Sequence, residues 1–175
     1  MPLKFTGEFV VNKKREDVYD FLTDARRFAP LLPDYQSMTM QDDHHFTVKV
    51  SVGISHIRGT AEVKMTLEQA VRPSSAVYKG QGSVAGGSTN VSAGFDLVEV
   101  PDGTKVTWTG EAQIFGRLTS LAGGLLEPLA RKNIEKLING LITALNAMSV
   151  PEASRALDQA QAGKGSQPPE QVNVG

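Results

Sequence analysis

The sequence predicts an α+β domain in which a curved antiparallel sheet of about seven strands wraps around one long C-terminal helix, with two short helices after the first strand. Three observations predict it. Apolar and polar side chains alternate with period two over most of residues 3–115, with one helical interruption after the first strand. A helical pattern then runs from residue 117 to about 148, with Leu118, Leu121, Leu125, Leu129, Ile134, Leu137, Leu141, Leu145 and Met148 on one stripe that slips by a residue after Leu129. A single long helix with one apolar stripe needs a sheet to lie against, and the sheet needs the helix for the same reason.

The elements follow in order. Residues 3–11 form the first strand, with Leu3, Phe5, Gly7, Phe9 and Val11 alternating with Lys4, Thr6 and Glu8. Asn12 can cap the helix that follows, where Val18, Phe21 and Leu22 share one face and Lys13, Lys14, Glu16, Asp17 and Asp20 take the other. Asp24 ends that helix or begins the next turn. A second short helix covers residues 26–31, and Pro33 closes it because the residue before a proline is pushed out of the helical region. From Met38 the period is two again. Phe46, Val48, Val50 and Val52 lie on one face of a strand, and Ile57, Gly59, Ala61, Val63, Met65 and Leu67 on one face of the next, the two meeting around Gly53. Pro73-Ser74-Ser75 marks a turn, and strands at 76–83 and 91–100 flank the loose segment Ala85-Gly86-Gly87-Ser88. Pro101-Asp102-Gly103 is a tight turn into residues 104–115, where Val106, Trp108, Gly110, Ala112 and Ile114 face one way. In the last helix, Gly123, Gly124 and Pro128 interrupt the apolar pattern. Interior glycine weakens a helix by about 1 kcal/mol and interior proline by about 3 kcal/mol, so a kink is expected near Pro128. Residues 1–149 make up the domain, and 150–175, rich in glutamine and proline without periodicity, are expected to be a disordered polar tail.

Composition narrows the function. At 175 residues, 40% hydrophobic and 21% charged, the chain can bury one real core. A net charge of -1 offers no long-range attraction to nucleic acid, which is set aside as a partner. The absence of cysteine excludes disulfides, thiolate metal sites and cysteine nucleophiles. The apolar stretch of residues 1–11 is too short and interrupted for a secretory signal, and no run approaches the roughly 18 apolar residues that a membrane span needs. A cytoplasmic protein is expected. His44 and His45 are adjacent and point to opposite faces of any strand, and no acidic residue stands at metal-site spacing from His56, so no metal is assigned. No nucleophile elbow, phosphate loop or paired catalytic carboxylates occur, and no catalytic residue is assigned.

The inward positions carry Gly59, Ala61, Gly80, Gly82, Ala93, Gly110 and Ala112 where a filled core would carry leucine or isoleucine. Interiors pack to a density of about 0.75, so that volume belongs to large neighbours, to the helix or to a ligand. Glycines that merely bend the strands and admit the helix are the competing account. Phe46, Tyr78, Phe95 and Trp108 are the large side chains expected to frame the space.

The segments Asn12-Lys13-Lys14-Arg15-Glu16-Asp17-Val18-Tyr19-Asp20-Phe21-Leu22-Thr23-Asp24, Leu31-Leu32-Pro33 and Val50-Ser51-Val52-Gly53 come first along the chain. Gly80-Gln81-Gly82, Ala85-Gly86-Gly87, Gly103-Thr104-Lys105-Val106 and Glu111-Ala112-Gln113-Ile114-Phe115-Gly116-Arg117-Leu118 follow. In this order, over about residues 3–148, they resemble the CoxG family, the G subunits of carbon monoxide dehydrogenase. The resemblance implies a helix-grip fold of the START-like, SRPBCC type with a hydrophobic pocket between sheet and C-terminal helix. It also implies a role beside a molybdenum-containing carbon monoxide dehydrogenase or a related molybdenum hydroxylase, either tethering that enzyme to the membrane or carrying a lipophilic quinone, menaquinone or ubiquinone, between enzyme and membrane. Asp34 stands where the family often has glycine, and the tail carries no hydrophobic anchor of the kind some members have.

The cavity is therefore expected to be lined by Leu22, Leu31, Leu32, Tyr35, Phe46, Val48, Val63, Met65, Tyr78, Phe95 and Trp108, with Leu118, Leu121, Leu125 and Leu129 from the last helix. Lys13, Lys14, Arg15, Arg26 and Arg27 near the short helices, and Arg117, Arg131, Lys132 and Lys136 along the last, read mainly as solvated faces. If the pocket mouth lies beside the short helices, this basic rim can meet membrane headgroups in a transient contact or meet an acidic partner. Glu127 and Arg131 are spaced for a helical ion pair of about 0.3 kcal/mol. The expected function is a non-enzymatic carrier of a lipophilic small molecule. The alternative is an assembly or membrane-recruitment factor that acts through protein contacts alone, and an enzyme of the cyclase or hydrolase type would need an acid or base inside the cavity.

Overall fold

The computed structural model describes residues 2–54, 57–84, 87–117, 119 and 123–148. Strand β1 (Pro2–Val11) leads into α1 (Arg15–Leu22), the short α2 (Ala25–Phe28) and a 3-10 turn (Ala29–Leu31). Strands β2 (Tyr35–Asp42), β3 (His45–Ile54), β4 (Ile57–Val71), β5 (Ser75–Val84), β6 (Gly87–Val100) and β7 (Gly103–Gly116) follow, then a 3-10 turn (Gly123–Leu125) and α3 (Leu126–Ala147). The strands form one antiparallel sheet in the order β1-β7-β6-β5-β4-β3-β2, so β1 and β2 are its edges. The expected α+β arrangement is present, with seven strands and one long helix.

Local chemistry explains the joints. The Asp24 side chain caps α2, accepting a hydrogen bond from the Arg26 backbone N–H at 3.1 Å. Asp34 has φ of 59°, in the left-handed region that glycine enters freely and aspartate more readily than most residues. That backbone demand accounts for an aspartate at a position where glycine is the simplest solution. Gly103 has φ of 145°, and a side chain there would run into the Val11 carbonyl, so the β6–β7 turn packs directly on the end of β1.

Two expectations change. Arg117 and Thr119 are helical as expected, but the long helix itself runs from Leu126, after the 3-10 turn, and Pro128 falls in its first turn. The backbone N–H missing from Pro128 has no intrahelical partner at that position in any helix, so the residue calls for no kink there. Leu126 is buried, while Leu125 at the N-cap is 53% exposed. Asp17, expected on the polar face of α1, is only 4% exposed.

Cross-strand register stacks the inward residues: Phe46 faces Met65, Val48 faces Val63, Leu67 faces Tyr78, and Gly7 faces Trp108. Two apolar clusters result. The larger unites Val11, Val18, Phe21, Leu22, Tyr78 and Leu97 with Leu141 and Leu145 from the C-terminal half of α3. The smaller unites Leu3, Phe5 and Leu126, with Trp108, Leu129 and Ile134 packed against them. The C-terminal end of α3 is held to the end of β1, where the Asn12 N–H donates to Asn146 Oδ1 at 2.9 Å and Lys13 Nζ donates to the Asn146 carbonyl at 3.1 Å.

Two substitutions probe this docking. Leu145 has no exposed surface, so Leu145→Ala is expected to cost about 2–5 kcal/mol. Thr104, also fully buried, donates from Oγ1 to the Lys13 carbonyl at 2.7 Å, and Thr104→Val is expected to cost about 1–3 kcal/mol by leaving that carbonyl unpaired. Urea unfolding monitored by circular dichroism checks both. A loss under about 0.5 kcal/mol at either site contradicts the packing described.

Candidate functional site

The concave face is covered unevenly, and three local features show how. At the end beneath the short helices, Phe28, Phe46 and Tyr78 form a triangle of edge-to-face rings with centroids 5.5 to 6.1 Å apart. The Tyr78 hydroxyl donates to the Leu22 carbonyl at 2.8 Å, and burial pushes its phenol well above the ordinary tyrosine range.

Along β5 the small residues are compensated by their neighbours. A Cβ on Gly80 would strike the Met65 sulfur, and one on Gly82 would lie 2.9 Å from Val63 Cγ2. On β7 the compensation stops, because among the described residues a Cβ on Gly110 would meet nothing within 4 Å, and the same holds at Gly59 on β4. Among the described residues the small-residue surface is thus filled at Gly80 and Gly82 and uncovered at Gly59 and Gly110.

The third feature is at the β1 edge. Trp108 projects from β7 but lies over Gly7 of β1, with ring atoms Cζ2, Cε2 and Nε1 at 2.6, 2.8 and 3.0 Å from where a Cβ on Gly7 would stand. Beside it a cleft of about 650 Å³ runs between residues 4–8 of β1 and one face of α3 carrying Arg131, Ile134, Glu135, Ile138 and Asn139. Its size is typical of small-molecule sites. A shallower hollow of about 450 Å³, lined largely by polar side chains such as Lys64, Lys79, Gln81 and Asn90, lies over β4–β6.

The structure divides the expected lining residues. Leu22, Phe46, Val48 and Tyr78 are buried, and Leu31, Met65 and Phe95 pack against the larger cluster. Phe95 makes an edge contact with Tyr19 at 6.1 Å. Trp108 and Leu129 belong to the smaller cluster, Leu32, Tyr35 and Val63 are half-buried, and Leu125 is exposed. Leu118 and Leu121 lie outside the described residues, as do His56 and the tail from residue 149. Sequence reasoning did not single out Phe5, Gly7, Ile134 or Ile138 as site residues. The available signal was the recurrence of Arg131, Ile134, Glu135, Ile138 and Asn139 on one helical face beside a first strand with one free edge.

Several basic residues have structural partners. Arg27 lies 4.8 Å from the Phe21 ring centroid and its Nη2 donates to Met148 Sδ at 2.9 Å. The Arg131 guanidinium, spaced to pair with Glu127, lies 5.0 Å from the Phe5 ring centroid. His45 Nδ1 sits 2.9 Å from the Asp42 carboxylate, and that hydrogen bond holds Asp42 below the usual carboxylate range. Among the described residues no group of three or more His, Asp or Glu could hold a metal ion, and no helix is long and apolar enough to cross a membrane.

The model of the CoxG family, described as the G subunit of carbon monoxide dehydrogenase, matches residues 7–146. No curated protein matches the chain in sequence. Among solved structures, a conserved protein from Geobacillus kaustophilus superposes with a TM-score of 0.73 at 17% identity, covering 83% of this chain and 97% of that one. The Zhui aromatase/cyclase from a Streptomyces species gives 0.59 at 12% identity over 95% and 100% of the two chains. A protein from Thermus thermophilus gives 0.60 at 14% over 84% and 99%. These likenesses identify the architecture as the helix-grip fold.

Asp17 supplies a test of the interior beside α1. Burial pushes its carboxyl above the ordinary value of 3.8, with Lys14 pulling the other way, and its Oδ2 has no hydrogen-bond partner among the described residues. Between 3.8 and the raised folded value, the native state keeps a proton that the unfolded chain has released, so stability falls as pH rises through that window. Urea midpoints from below that window to neutrality are expected to decline for the wild type relative to Asp17→Asn. Parallel profiles would show that burial does not perturb Asp17.

Proposed function

The chain belongs to the CoxG family of carbon monoxide dehydrogenase subunits, and we propose that it binds the apolar part of a lipophilic small molecule between α3 and the concave sheet. On this reading the ligand is a quinone, menaquinone or ubiquinone, and the protein carries it between the membrane and a molybdenum hydroxylase of the carbon monoxide dehydrogenase class. The observation that carries the reading is the surface at Gly110, which no described residue covers, in a frame where Gly80 and Gly82 are filled by their neighbours. Apolar surface that no side chain covers favours an apolar guest, at about 0.8 kcal/mol for each methylene buried. The Zhui protein, an aromatase/cyclase, has the same frame, which fits a small organic guest here as well. A carrier needs no catalytic group, and the reading is non-enzymatic. Exchange with the bilayer takes place at its surface, where the exposed Lys14 and Arg26 beside the short helices can meet anionic headgroups.

Native mass spectrometry of the gently purified protein, followed by organic extraction, tests the reading. A copurifying isoprenoid quinone is expected, and Gly110→Leu, which fills the open space, is expected to lower quinone affinity about tenfold. A clean apo mass that also resists added quinone would refute the carrier and favour recruitment of the dehydrogenase through protein contacts alone.

A further inference from the structure

We propose that the lateral cleft between β1 and α3 seats the polar ring of the ligand, and that Gly7 controls access to it by letting Trp108 lie flat against the edge strand. This rests on the carrier reading and adds a location, a ligand chemistry and a specificity-determining position.

Gly7 and Trp108 are cross-strand partners, and the indole occupies the space that any side chain at position 7 would need. The ring is thereby drawn sideways over β1 and away from the middle of the concave face. That displacement leaves Gly110, two residues along the same strand, uncovered by any described residue, and it places an aromatic surface on the wall of the edge cleft. Ile134 and Ile138 form the facing wall. One side chain therefore borders both the apolar space proposed for the ligand's tail and a second chamber that opens laterally.

The second chamber has the chemistry for a neutral ring bearing carbonyl or hydroxyl oxygens. Because β7 pairs with only one side of β1, the other side of residues 4–8 presents backbone N–H and C=O groups towards the cleft. Asn139 adds an amide that can donate and accept. Two cations, Lys4 and Arg131, are matched by two anions, Glu8 and Glu135. Lys4 is further engaged with Glu111 at 3.3 Å, and Arg131 lies over Phe5. A phosphate or carboxylate head would find no net positive field here. An uncharged planar ring would find an indole to stack on and hydrogen-bonding groups around it.

Trp108 is the only tryptophan of the chain, so its emission reports on the indole that forms one wall of this cleft. The full chain is titrated with decylubiquinone, uptake is measured by equilibrium dialysis, and Trp108 emission is followed in parallel. Saturable quenching that tracks the dialysis curve is expected. Gly7→Ala, which must displace the indole, and Asn139→Leu, at an exposed helical position that leaves the interior intact, are each expected to weaken binding about tenfold. Should Gly7→Ala fail to fold, Asn139→Leu and the wild-type quenching decide the matter. Uptake with unaltered emission, or Asn139→Leu affinity within about twofold of wild type, overturns the ring site and leaves the carrier reading intact. A wild-type chain that takes up no quinone overturns both.

Discussion

The docking of α3 along β1 is the constraint on which the rest of the molecule depends. Both ends of the helix are fixed to the same strand. Leu126 packs with Leu3 and Phe5 near the start of β1, and Asn146 receives the Asn12 N–H and the Lys13 ammonium just past its end. Leu145 is sealed at the C-terminal end and joins the core formed by α1, β1 and β7. Hydrogen bonds at one end and apolar contacts at the other fix the helix's direction, and its direction decides which part of the curved sheet it covers. A helix held against an edge strand cannot also blanket the middle of the sheet.

The uneven interior follows from that placement. Under the short helices the interior is closed by Phe28, Phe46 and Tyr78, with the Tyr78 hydroxyl satisfied by the Leu22 carbonyl. Along β4 and β5, methionine and valine side chains grow into the space that Gly80 and Gly82 vacate. At β7 the large indole of Trp108 leans onto Gly7, and no described residue replaces it over Gly110. The polar residues follow the same logic. Lys13 and Arg27 contact the last residues of α3, so part of the charge around the short helices serves the fold. A frame pinned to β1 at both ends of α3, with one inward position that no described residue covers, fits the carrier proposed above.

The order of elements and the inward face of most strands, though not of β2, were legible in the sequence, because period-two and period-3.6 patterns are local consequences of which side chains avoid water. Phe46, Val48, Tyr78 and Leu145 were placed inward on that basis, and each is buried. The family, too, was readable from the order of its segments. Other features were not readable. The helix start could not be fixed at Leu126, since the apolar spacing continues through Leu118, Leu121 and Leu125, and Pro128 is as compatible with a first turn as with a kink. The burial of Asp17 depends on what covers α1 and not on its position within it. The cleft at the β1 edge is built from residues more than a hundred positions apart, and no local pattern links Gly7 to Trp108 or to Ile138.

The sequence by itself therefore determined the architecture, the concave face and the family, all of which rest on periodicity and order along the chain. Only the tertiary structure decided which small residues are filled and which are open, where the helix lies, and that a second chamber flanks the edge strand. Those outcomes turn on cross-strand register and on the direction in which a few large side chains lean, and both are fixed by contacts between segments that are distant in sequence.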